Sequence, residues 1–167
     1  MPQQDSDNPQ SPNPSTSAET RSKITNREIV SVQSHFTEAG LDYEYWSPVF
    51  NMHFGYWKWG ANPFGREAML RELNRQVGKR LSISGASPKI LDMGCGVGAP
   101  VRDMARLYPT ASVTGVTIVP WQIQKATELT GDDLMERISF LEADFTDVPL
   151  ESGSQDAVFA MASGYAG

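Results

Sequence analysis

Hydrophobic and polar positions along the chain fall into three regimes. Positions 1–23 offer almost nothing to bury: four prolines and many Gln, Ser and Asn. Such a stretch cannot offset its ordering entropy, and it predicts a disordered tail. From 24 to 86 apolar residues recur at helical intervals around an aromatic-rich stretch. Ile29, Val30, Val32 and Phe36 predict a short helix over 27–38, capped by Asn26 and stopped by Gly40. Ala68, Met69, Leu70, Leu73, Val77 and Leu81 predict a second helix within 65–81. Between them, 41–60 holds eight aromatic residues, with Pro48 and Gly55 interrupting any long element.

The third regime, 87–167, alternates strands with helices. KILDM (89–93), SVTGVTI (112–118), RISFLEA (137–143) and QDAVFAM (155–161) read as strands, and 100–107 and 120–129 as helices. Pro120 stands at a favoured first-turn position. Such alternation implies an α/β fold with parallel strands joined by right-handed crossovers. The expected division is a tail (1–23), a helical, aromatic-rich cap or lid (24–86) and an α/β core (87–167).

Composition narrows the function classes. Lys and Arg number 14 against 20 Asp and Glu, a net charge of -6. That balance argues against a nucleic-acid binder that neutralises phosphates and gives no polybasic membrane contact. One cysteine, Cys95, rules out an intrachain disulfide, and a cytoplasmic, reducing setting is expected. No apolar run reaches membrane-spanning length, and the N-terminus has no apolar signal core.

The chemistry concentrates where the first strand ends. Asp92 and Met93 lead into Gly94, Cys95, Gly96, Val97 and Gly98, and a helix follows. Glycines let the chain leave the strand sharply and let a ligand touch backbone. The helix N-terminus behind them presents free N–H groups to an anionic group. A dinucleotide fold would use G-x-G-x-x-G, with an acid after the second strand. Here the spacing is G-x-G-x-G and the second strand ends in Thr117 and Ile118, which weighs against a nicotinamide cofactor. His53 has no metal-ligand partners at suitable spacing, and Cys95 has no visible catalytic partner.

LDMGCGVG resembles the first motif of class I S-adenosylmethionine (SAM)-dependent methyltransferases. VTGVTIVPWQIQKA resembles the second motif of one branch, which includes sterol C-methyltransferases, tocopherol methyltransferases and cyclopropane fatty acid synthases. The resemblance implies a Rossmann-like fold, SAM as cofactor and methyl transfer to a small-molecule or lipid acceptor. It implies SAM contacts from Asp92, Gly94, Cys95, Gly96 and Gly98, and ribose contacts from Thr117 and Gln122. LEADFTDVPL resembles the third motif, implying that Asp144 binds the adenine amino group beside Phe145. NMHFGYW resembles the segment upstream of the core in this branch. That match places Met52 and His53 near the methionine moiety, with Tyr43, Tyr56 and Trp57 in a lid.

The family sheet has seven strands in the order 3-2-1-4-5-7-6, and this sequence supplies the first four. An incomplete sheet of order 3-2-1-4 is expected. Ala162 stands about where this branch usually carries a Glu near the reacting groups. Strand four is then an open edge with Val158 and Phe159 exposed, and the chain alone is expected to be marginal or aggregation-prone. The alternative function is a truncated, non-catalytic product or a partner of a full-length methyltransferase.

Overall fold

The computed structural model describes residues 26–38, 45–60 and 64–161. The tail 1–23, Gly40, Tyr43 and Ala162 lie outside the described residues. Helix α1 spans Asn26–Glu38, so Asn26 opens the helix rather than preceding it. Its half-buried residues Ile29, Val32, Gln33 and Phe36 form one stripe. From that stripe Gln33 Nε2 donates to Ile118 O at 2.6 Å, tying α1 to the end of the second strand.

The aromatic stretch forms no long element over 47–60. Helix α2 (Arg66–Gly78) follows. The core then runs β1 (Lys89–Met93), α3 (Ala99–Leu107), β2 (Ser112–Thr117), α4 (Pro120–Glu128), α5 (Asp132–Met135), β3 (Ile138–Glu142) and β4 (Ala157–Phe159). The four strands are parallel in the order β3-β2-β1-β4. β4 is shorter than its apolar run predicts, and the four-residue α5 is too short to have shown a helical period.

Strand alternation sorts the sheet into two faces. One face carries Ile90, Val113, Ile138 and Phe159, which pack with Val101, Met104 and Ala105 of α3 and Leu134 of α5. Val77 of α2 and Leu107 of α3 border this core. α2 lies close against α3 because Gly78 has no Cβ: one would fall 2.5 Å from Leu107 Cδ2. α4 joins the same face, where Ala126 packs with Val97 and Phe140. The other face carries Leu91 and Val158, neighbours in the β1–β4 register.

This alternation corrects one expectation. Val158 is 45% exposed, but Phe159 is 6% exposed and belongs to the core. Neighbouring residues on a strand point to opposite faces, so an open edge does not expose both.

Candidate functional site

Parallel pairing puts the C-terminal ends of β1 and β2 side by side, and the glycine loop leaves from there. The backbone N–H groups of Gly94 and Cys95 both donate to Val116 O, at 2.9 and 2.8 Å, so the loop is anchored on β2. Gly94, Gly96 and Gly98 have φ of 79°, 54° and 73°. All three lie in the left-handed region, where glycine alone is unstrained. Gly98 also has no room for a side chain, since a Cβ would stand 2.6 Å from Phe140 Cε1. It is the N-cap of α3 and provides no side-chain cap, so the first-turn N–H groups of that helix are left for another acceptor.

Asp92 lies at the base of this loop, 1% exposed. Neither carboxyl oxygen has a hydrogen-bond partner among the described residues. Burial pushes its pKa up from 3.8 to about 8. A buried carboxyl without a donor is costly unless a ligand satisfies it. The orphaned Asp92, three left-handed glycines and an uncapped helix start together fit a ligand carrying both a carboxylate and a cationic or N–H donor group, as the methionine part of SAM does.

The other expected residues are placed as follows. Cys95 is buried, its Sγ 2.8 Å from where a Gly115 Cβ would be, so the thiol fills the space left by that glycine. Burial and then the neighbouring Asp92 push its pKa well above the usual thiol value, the reverse of what a nucleophile needs. Thr117 and Gln122 are both buried and meet each other: Thr117 Oγ1 donates to Gln122 Oε1 at 2.7 Å. The hydroxyl hydrogen expected to face a ribose is thus already used within the chain.

Asp144 turns its own loop. Its Oδ1 accepts from Thr146 N and Thr146 Oγ1, both at 2.8 Å, leaving Oδ2 without a partner among the described residues. Phe145 beside it is half-buried. Met52 reaches the glycine loop, with Sδ 3.0 Å from a Cβ built on Gly96. His53 is 7% exposed, and its Nδ1–H donates to Phe54 O at 2.8 Å. Nε2 is buried without a partner among the described residues. Tyr56 and Trp57 are 44% and 46% exposed.

Three participants had no sequence signal. Phe50 is buried at φ 58°, the one described non-glycine residue with positive φ. Arg102, 4% exposed, spans from the glycine loop to the aromatic stretch. Trp121 packs against the cluster of Phe50, Val97 and Ala126, with its indole Nε1 buried and without a partner among the described residues. A charged helical residue reads as solvated, and a left-handed phenylalanine has no pattern at all. A cavity of about 340 Å³ opens between 49–51 and α3, and none of the expected SAM-contact residues lines it. Among the described residues no cluster of His, Cys, Asp and Glu could hold a metal ion.

Residues 90–166 match the family model described as a methyltransferase domain. The chain belongs to the class I SAM-dependent methyltransferases. It is 33% identical over 113 residues to O-methyltransferase resE of Aspergillus sclerotiorum, covering 67% of this chain and 42% of that one. It is 31% identical over 157 residues to sterol 24-C-methyltransferase erg-4 of Neurospora crassa, covering 89% and 39%. Among solved structures it resembles geranyl diphosphate C-methyltransferase from Streptomyces coelicolor A3(2). There the TM-score is 0.64 at 14% identity, covering 80% of this chain and 54% of that one. That structure contains Mg2+, geranyl-S-thiolodiphosphate and S-adenosyl-L-homocysteine, and at this identity the likeness concerns the fold. This methyltransferase-family chain spans about two fifths of the length of those two curated relatives. None of its described helices is long and apolar enough to cross a membrane.

Proposed function

We propose that this chain is the SAM-binding portion of a methyltransferase that acts on a small-molecule or lipid acceptor in the cytoplasm. Residues 24–86 form its lid-bearing cap and 87–167 its cofactor core. The observation that carries the reading is the unpartnered, fully buried Asp92 beneath three left-handed glycines. When bound, SAM supplies an electrophilic methyl group on a sulfonium. The chain's own work is to hold that donor and keep water away. Gly94, Gly96, Gly98 and the start of α3 would receive the carboxylate of the methionine part, and Asp92 its amino group. Thr117 and Gln122 would flank the ribose as a pre-paired unit, and Asp144 would accept from the adenine amino group through Oδ2 beside Phe145. Met52 and His53 would border the methionine part, with Tyr43, Tyr56 and Trp57 as lid residues.

The curated relatives are named for O-methylation and for sterol C-methylation, which supports a small-molecule or lipid acceptor. The acidic charge supports the exclusion of nucleic acid. Isothermal titration of the 167-residue chain with S-adenosylhomocysteine (SAH) tests the reading. Saturable one-to-one binding is expected, and no heat from a folded sample would overturn it.

A second reading, a non-catalytic fragment or a partner of a full-length enzyme, is favoured by the chain's coverage of its relatives, between 34% and 62% of their length. SAH binding without methyl transfer to any sterol or phenol offered would select it.

A further inference from the structure

The turn that carries Met52 and His53 has neither strand nor helix to hold it, yet its key residues are buried. Ser47 and Asn51 are 0% and 1% exposed. Phe50 N donates to Ser47 O at 2.8 Å, which closes the turn. One carboxylate of α2 grips both of its ends: Ser47 Oγ donates to Glu67 Oε2 and Asn51 Nδ2 to Glu67 Oε1, each at 2.9 Å. Asn74 Nδ2 donates to Asn51 Oδ1 at 2.8 Å and to Asp103 Oδ2 at 2.7 Å, joining the turn to α3.

Arg102 completes the arrangement. Its Nη1 donates to Val97 O at 2.8 Å, inside the glycine loop. Its Nη2 donates to Val49 O at 2.9 Å, inside the turn. A guanidinium held almost entirely out of water, with two backbone carbonyls as its hydrogen-bond partners, is an unusual use of a charge. Next to Val49 in the turn, Phe50 is held at φ 58° and packs with Val97 and Ala126. A left-handed phenylalanine persists only where its surroundings over-determine it.

We propose that Arg102 is a positioning residue for the cofactor site: its fork locks the 47–53 turn to the glycine loop and so sets Met52 against Gly96. The inference rests on the SAM-binding reading above. Arg102 acts through Met52 rather than by touching the ligand. Lysine cannot replace it, because a single ammonium lacks the planar fork that spans two carbonyls. Glu67 is the second grip on the same turn. Its side chain is 34% exposed, so changing it threatens the fold less.

The test combines 13C-methyl-methionine NMR of the unliganded 167-residue chain with SAH titrations. Substituting Met52 assigns its methyl signal. Arg102→Lys should displace that signal while leaving the exposed Met135 signal in place. It should also weaken SAH binding about tenfold, and Glu67→Gln about threefold. In a Met52→Ala background each should change SAH affinity by less than about twofold, since residues acting through one another are non-additive. Arg102 as mere structural support would instead add its effect on binding to that of Met52→Ala, which would overturn the proposal; a lower melting temperature is expected in either case, because two buried carbonyls lose their donor. An unmoved Met52 methyl in Arg102→Lys would overturn it as well, even with SAH bound normally. Failure of the unmodified chain to bind SAH would overturn the cofactor reading alone, because the methyl signal is read without ligand.

Discussion

Asp92 shows how one buried group ties stability to binding. Burial raises its pKa from 3.8 to about 8, so between those values the folded chain holds a proton that the unfolded chain has lost. Stability therefore falls as pH rises through this window. Denaturant melts at pH 5 and pH 8 should differ by a few kcal/mol in the unmodified chain. Asp92→Asn, which cannot ionise, should flatten the dependence. A ligand amino group beside Asp92 favours the ionised form, so SAM uptake near pH 7 should release a proton. Calorimetry in buffers of different ionisation enthalpy reads that release directly. Gly98 makes a complementary case. Gly98→Ala forces a Cβ to φ 73° and into Phe140, whereas Gly153→Ala takes the same strain at φ 76° with nothing within 4 Å. Gly98→Ala should cost about 2 kcal/mol more than Gly153→Ala in chemical denaturation, the difference being the overpacking.

At the level of elements, the loop after β3 separates a binding role from a packing one. Asp144 sits where that strand gives way to a turn, with one oxygen closing the turn and the other open. Asp144→Ala should weaken SAH binding about tenfold, whereas Cys95→Ala should lower the melting temperature and change affinity less than twofold. The strands and helices that frame this loop were legible because each long element repeats its period. KILDM and SVTGVT became β1 and β2 almost to the residue. The glycine loop was legible for a backbone reason, since left-handed φ at three alternate positions demands glycine. Side-chain partnerships were not legible. The five-residue spacing of Thr117 and Gln122 brings them together without saying that they will bond to each other. The same gap hid Arg102, whose charge reads as solvated until the carbonyls of Val49 and Val97 are seen to converge on it.

For the whole molecule, the consequential asymmetry lies between the two faces of the sheet. α2, α3, α4 and α5 all add to the core of one face. On that second face Val158 stands 45% exposed, on a strand that pairs with β1 alone among the described strands. An exposed β-branched residue on a strand at the edge of the described sheet is a template for edge-to-edge association. Phe159, turned into the core, cannot contribute to it. Association should therefore depend on position 158 and not on 159. Val158→Lys should shift the sedimentation profile of the 167-residue chain toward monomer and leave its melting temperature within about 2 °C, because a charge on an open edge removes the template without disturbing the core. Phe159→Ala should instead lower stability by about 3–5 kcal/mol through the cavity it opens. A Val158→Lys chain that self-associates as the unmodified one does would place the sticky surface elsewhere.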